Sequence, residues 1–169
     1  MEYVKMPQPD EVSAKDRENG FGAYIMMFAG AYFPVPFVEI ISSIIYYLYF
    51  KKRSRYAAFH AYQSFLAQLP VTILNTALLI YGIRMLIIYI RTEMITTYEL
   101  KTGLAFLIIT VLINIIYIII SLIIALKAKN GIFAYFPIVG RMAYEKMYGP
   151  NAIEISLKTV KGRINHPPE

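Results

Sequence analysis

The hydrophobic and polar positions along the chain form three long apolar runs, each bounded by charged or polar residues. The runs cover roughly residues 22–50, 56–90 and 100–126. At about 1.5 Å per helical residue, each run exceeds the roughly 30 Å hydrocarbon core of a bilayer. The pattern predicts an all-α helical membrane bundle with three transmembrane helices, or four if the long second run is divided.

These runs also define the expected organisation of the chain. Residues 1–21 form a polar N-terminal segment, residues 22–148 the membrane domain, and residues 149–169 a polar tail. A mixture of aromatic and charged side chains after the third run predicts a segment that lies in the membrane interface. The expected spans and the interfacial segment are, in order, about residues 31–50, 58–84, 104–126 and 132–148.

Prolines interrupt two of the three runs. Pro34 and Pro36 lie in the first run, and Pro70 lies in the second. Proline lacks a backbone donor and disfavours the helical conformation of the residue before it. We therefore expect a kink at Pro34–Pro36, with the first span following it, and a second kink at Pro70.

The few polar side chains of each run share one helical face, because positions four and seven residues apart lie on the same side. Glu39, Gln68 and Asn114 lie about 18–20 Å from the basic ends of their runs by helical rise. Unpaired polar groups are costly in hydrocarbon, so we expect these three to form one buried polar cluster. Such a cluster binds an ion, proton or solute, or, more commonly, holds helices together through hydrogen bonds.

The basic residues predict an orientation. Eleven Lys and Arg residues lie in the first loop and after the third run, against five before the first run and in the second loop. Cytoplasmic loops carry an excess of basic residues. With three spans in a plasma (inner) membrane, the N-terminus is expected outside and the C-terminus in the cytoplasm. Arg84 is expected to anchor the second helix at the outer interface.

Composition and motifs argue against catalysis. The chain has no Cys and two His, so a thiolate nucleophile is excluded and a metal site is not expected. His60 and Ser64 lie one helical turn apart, but no nucleophile elbow or glycine-rich phosphate loop accompanies them. Hydrophobic residues make up 57% of the chain and charged residues 17%. We expect no enzymatic activity, no cofactor and no nucleic-acid partner; the expected partners are the lipid bilayer and other membrane proteins.

Two motifs flank the apolar helices. A proline-bearing first helix and a short basic loop precede the sequence Phe-His-Ala-x-Gln, which is matched by Phe59, His60, Ala61 and Gln63. A closing turn after the third run contains Gly131, Tyr135, Pro137 and Gly140. Over about residues 22–148 these motifs resemble the Tic-twenty-like family of small polytopic membrane proteins. Its plastid members belong to the inner-envelope protein import machinery.

Two classes of function follow. The resemblance implies a non-catalytic integral membrane subunit or scaffold of a larger complex, in protein translocation or insertion. The motif residues Phe59, His60 and Gln63 would then lie where a partner docks, and the family assigns no catalytic residues. The buried polar cluster suggests an alternative, a small ion or solute transporter or channel that uses Glu39.

Overall fold

The computed structural model describes residues 6–29, 37–92, 94–149 and 165 of the chain. These ranges contain five α-helices: α1 (Ala14–Ala29), α2 (Val38–Phe50), α3 (Arg55–Thr92), α4 (Thr97–Lys129) and α5 (Val139–Tyr148). No strand occurs in them, which confirms the all-α prediction. The kink expected at Pro34–Pro36 lies outside the described residues.

The chain divides into two compact units. Unit 1 combines Met1–Gln68 with Ile120–Glu169, and unit 2 is Leu69–Ile119. Unit 1 contains α1, α2 and α5 together with the beginning of α3 and the end of α4. Unit 2 contains the remainder of α3 and α4.

Two helices have the length and composition needed to cross a membrane. They are α3, with 38 residues, and α4, with 33 residues. The predicted spans over residues 58–84 and 104–126 fall within them. The helical conformation of α3 continues through Pro70. In contrast, α2 has 13 residues, fewer than the about 20 that a transmembrane helix needs.

Helix α1 begins inside the segment that the sequence assigned to a polar N-terminal region. Ser13 explains its start, since the Ser13 hydroxyl accepts a 3.1 Å hydrogen bond from the Asp16 backbone amide. The same hydroxyl donates a 2.8 Å bond to the Asp16 carboxylate. Such a cap satisfies a backbone donor that the first helical turn leaves unpaired.

Helices α1 and α2 pack together in an antiparallel arrangement. The Ser42 hydroxyl donates to the Met26 carbonyl at 3.0 Å. One turn later in α2, the Tyr46 hydroxyl donates to the Asn19 carbonyl at 2.9 Å, almost two turns earlier in α1. The two helices therefore run in opposite directions.

The beginning of α1 and the end of α2 lie at the same end of unit 1. Ser13 and Phe50 line one cavity of about 300 Å³, together with Arg53 and Ser54 of the α2–α3 turn. Since α1 and α2 are short and antiparallel, the pair forms a helical hairpin that starts and finishes at this end.

Asn165 joins both ends of the chain to the connection between α4 and α5. Its side-chain amide donates to the carbonyls of Pro7 and Gly131, each at 2.9 Å. Its side-chain oxygen accepts a 2.9 Å hydrogen bond from the Phe133 backbone amide. Asn165 is 1% exposed, so these bonds are shielded from water.

The hydrogen bond between Pro7 and Asn165 bears on the expected orientation of the chain. The sequence placed the two termini on opposite sides of the membrane, whereas these two residues are in direct contact. A hydrocarbon core of roughly 30 Å cannot separate bonded groups, so this contact favours both segments on one side, and the orientation of the termini stays a prediction. Residues 31–50, where a single span was expected, contain α2 (Val38–Phe50), which is antiparallel to α1 (Ala14–Ala29).

Helix α5 lies within the segment expected at the interface, and it has two different faces. Ala143, Tyr144 and Tyr148 are buried. On the exposed side, Arg141 and Glu145 form an ion pair of 2.9 Å. This separation of apolar and charged faces is typical of helices that lie along a membrane surface.

We expect Asn165→Ala to lower the free energy of unfolding by about 2–3 kcal/mol, because it leaves buried backbone groups of the N-terminal segment and the α4–α5 connection unpaired. Thermal unfolding in detergent, followed by far-UV circular dichroism, measures the change. Asn130→Ala is the matched control, because Asn130 is exposed. Equal melting temperatures for the two variants would show that Asn165 does not hold these segments.

Candidate functional site

The most enclosed polar group in unit 1 consists of Tyr24, His60 and Gln63, here called the His60 cluster. All three side chains are 0% exposed. The Tyr24 hydroxyl shares a 3.0 Å hydrogen bond with His60 Nδ1. Gln63 Nε2 donates to the Tyr24 hydroxyl at 2.8 Å and to the Ala134 carbonyl at 2.9 Å. The cluster thus joins α1, α3 and the α4–α5 connection.

Aromatic rings enclose the His60 imidazole. The rings of Tyr56 and Phe59 lie edge-on to it, with centroid distances of 4.6 and 4.9 Å. The Phe133 ring lies 5.8 Å away. Gly20 lets α1 approach, since a Cβ atom there would lie 2.7 Å from the Tyr56 ring and 3.1 Å from His60. An apolar shell of this kind strengthens hydrogen bonds inside it and makes unpaired groups costly.

Several polar atoms near the cluster are buried without a hydrogen-bond partner among the described residues. They include His60 Nε2, Gln63 Oε1 and the Tyr144 hydroxyl. Burial also raises the pKa of Tyr144 to about 12, so its phenol is neutral at physiological pH. The site therefore offers neutral donors and acceptors rather than charge.

The arrangement does not favour catalysis or metal binding. The Ser64 hydroxyl donates to the Ala61 carbonyl at 2.9 Å, a bond within α3 rather than one to His60. Over the part of the chain that the structure describes, no group of three His, Cys, Asp or Glu side chains is placed to hold a metal ion. What the geometry supports is a packed polar core that fixes three segments against one another.

Gln68 and Asn114, two residues of the expected polar cluster, have hydrogen-bond partners of their own. Gln68 accepts a 2.8 Å hydrogen bond from Ser43 and donates to the Met27 carbonyl at 2.9 Å, all within unit 1. Glu39 is half-buried in the first turn of α2. Ser43 lies one helical turn after Glu39, on the same face of α2.

Asn114 belongs to unit 2, where it forms a reciprocal amide pair with Asn75. Each side chain donates to the other, at 2.8 and 3.2 Å. Asn114 also donates to the Thr110 carbonyl one turn earlier, at 2.8 Å. The grouping of Glu39, Gln68 and Asn114 at one site stays a prediction.

Unit 2 also contains a largely apolar groove of about 770 Å³. Leu79, Leu86 and Leu104 are among its lining residues, and Tyr81 donates from its hydroxyl to the Glu99 carbonyl at 2.9 Å beside it. Arg84, the expected outer anchor, is exposed on α3. Its role at an interface stays a prediction.

The motif residues Phe59, His60 and Gln63 face the inside of unit 1. Each is 0% exposed. Contacts with α1 and the α4–α5 connection explain the burial of these side chains, and this explanation requires no partner protein. A docking role for them stays a prediction. Sequence reasoning missed Tyr24 because a lone tyrosine in α1 has no periodic signal.

The chain matches a known protein family over most of its length. A family model matches residues 17–143, and it describes the magnetosome magnetite crystal formation protein family, MamF/MmsF. The chain belongs to this family. No curated protein and no solved structure matches the chain significantly.

Membership of the MamF/MmsF family overturns the resemblance to the Tic-twenty-like family, which is wrong. The residues that carried that resemblance include Phe59, His60 and Gly140, all of which are buried in unit 1. Packing requirements of this kind recur in membrane proteins with different functions, so they identify a function poorly. Protein translocation and insertion, which only that resemblance implied, lose their support.

Tyr24→Phe should lower the free energy of unfolding by about 1–3 kcal/mol, because His60 Nδ1 and Gln63 Nε2 lose their shared partner. Thermal unfolding of the purified protein in detergent measures the loss.

Tyr144→Phe is the matched control for this prediction. Tyr144 is also 0% exposed, but its hydroxyl has no hydrogen-bond partner among the described residues. Removing an unpaired buried hydroxyl should leave stability unchanged or raise it slightly. If both variants lose the same stability, ring packing rather than the hydroxyl network determines the effect.

Proposed function

We propose that this chain is a non-catalytic integral membrane protein of the magnetosome, where it takes part in magnetite crystal formation. The family match over residues 17–143 carries this proposal. The His60 cluster supports the non-catalytic part, because its polar groups bond to one another and to the backbone. The protein would act through its position in the membrane and the surfaces that its packed units present.

The proposed membrane arrangement has two crossings, α3 and α4, and one hairpin that enters and leaves on the same side. Its support is length: α1 has 16 residues and α2 has 13, below the about 20 needed to span. The basic residues of the α2–α3 turn and of the end of α4 favour the cytoplasmic side. Both termini would then be cytoplasmic.

The alternative of a transporter or channel at Glu39 has weaker support. Gln68 accepts a hydrogen bond from Ser43 within unit 1, and Asn114 donates one to Asn75 within unit 2. Hydrogen bonds between transmembrane helices usually serve packing. Coupled transport also generally uses several ionisable groups inside the membrane.

Reporter fusions test the arrangement. Alkaline phosphatase fused to either terminus should be inactive, whereas a fluorescent protein fused to either terminus should be bright. Phosphatase inserted at Thr96, between α3 and α4, should be active, and it serves as the reference for the other side of the membrane. Active phosphatase at only one of the two termini would instead indicate an odd number of membrane crossings.

Deletion of the gene in a magnetosome-forming host tests the function itself. Magnetite crystals seen by electron microscopy should become smaller or fewer, and the wild-type gene should restore them. The protein should remain in the membrane pellet of isolated magnetosomes after alkaline carbonate extraction. Unchanged crystals in the deletion strain would refute the proposed role.

Complementation with Glu39→Gln separates the two functions. The amide keeps the size and most hydrogen bonds of the carboxyl group, so a packing role predicts full restoration of the crystals. Complete loss of crystal formation, with normal protein abundance in the membrane, would favour transport instead.

A further inference from the structure

Six basic side chains gather at one end of unit 1. The Tyr56 hydroxyl donates to the Ala128 carbonyl at 2.8 Å, which joins the start of α3 to the end of α4. The basic residues of the α2–α3 turn therefore lie at the same end as those that finish α4. All six are exposed, and they are Lys51, Lys52, Arg53, Arg55, Lys127 and Lys129.

Most of the charge of this basic end is left available. Between residues that the structure describes, the ion pair is Arg141–Glu145, and none of the six basic residues takes part in one. Glu11 and Asp16 line a cavity with Arg53 and Arg55, so these carboxylates offset part of the positive charge there. The other four basic residues do not line this cavity.

Aromatic rings hold two of the cations in place. The Arg53 guanidinium lies 3.8 Å from the centroid of the Tyr49 ring. The Lys129 ammonium lies 5.5 Å from that of Phe21. Contacts of this kind restrict the side chains while leaving their hydrogen-bond donors free. Part of the positive surface is thus preorganised for an anion.

An exposed apolar stripe leads along α2 toward the basic end. Ile41, Ile45 and Leu48 are 54%, 62% and 50% exposed, and their spacing places them on one face. Lys51 keeps helical backbone angles after α2, so Lys52 continues this face. From Ile41 to Lys52 the helical rise is about 16 Å, close to half of the roughly 30 Å hydrocarbon core.

We propose that this end of unit 1 binds an anionic phospholipid, with the phosphate against Lys51, Lys52 and Arg53 and an acyl chain along the α2 stripe. The combination of charge and stripe favours a lipid over a free anion, since a free anion would leave the stripe uncovered. Several basic residues beside an apolar surface are the pattern that binds anionic headgroups. The site goes beyond the proposed function and does not depend on it.

Native mass spectrometry of the purified protein tests the site. The full chain is incubated in detergent with equal amounts of phosphatidylglycerol and phosphatidylcholine that carry the same acyl chains. The wild-type protein should retain phosphatidylglycerol preferentially. No preference in the wild-type protein would overturn the proposal.

A charge-removal variant and a matched control locate the site. The triple variant Lys51→Gln, Lys52→Gln, Arg53→Gln should lose the preference by about a hundredfold, since each cation contributes roughly fivefold. The control removes three exposed cations of unit 2, by Arg84→Gln, Arg91→Gln and Lys101→Gln. It should keep the preference within about twofold. An equal loss in both variants would show that the preference does not come from the basic end of unit 1.

Two further measurements keep the outcome interpretable. Lys52→Gln alone should reduce the preference by roughly fivefold. This single variant replaces the triple variant if the triple variant has an altered circular dichroism spectrum. Glycerol phosphate, which carries the headgroup without chains, should fail to displace the bound lipid at equal concentration. Displacement by glycerol phosphate, or an unchanged preference in the Lys52 variant, would contradict a lipid site built from charge and stripe.

Discussion

Unit 1 depends most on the two hydrogen bonds that the side-chain amide of Gln63 donates. Its nitrogen donates both to the Tyr24 hydroxyl of α1 and to the Ala134 carbonyl after α4. These segments are distant in sequence, and one buried side chain holds them at a common point. Because aromatic rings exclude water here, a lost bond is not replaced by hydration. The cluster therefore specifies one arrangement of α1, α3 and the α4–α5 connection.

The helical hairpin of α1 and α2 follows from the same constraint. Each of its helices is too short to cross a bilayer alone, and each has polar groups that bond to the other or to α3. Ser42 and Tyr46 donate to α1 carbonyls, while Gln68 donates to the α1 carbonyl of Met27 and accepts from Ser43. Irregular or short helices at membrane depth are tolerated where protein covers their backbone.

The sequence predicts the all-helical fold and its two long apolar helices, because apolar length and helical period are local properties. Helix α3 contains the expected second span, and Gln68 and Asn114 both bond through the predicted polar faces. Helix α1 was missed since its first turns are polar and its cap is a single Ser13. The anchor at Asn165 depends on contacts with residues far away in the chain, which no local pattern records.

The contact between Pro7 and Asn165 also determines how the molecule can be handled. Pro7 and Asn165 are 158 positions apart in the sequence, yet they are joined by a hydrogen bond of 2.9 Å. A short peptide joining Pro7 to Asn165 would close the intervening chain into a ring, and neighbouring positions of this kind suit circular permutation. Two cargo proteins attached at these two positions would be brought side by side.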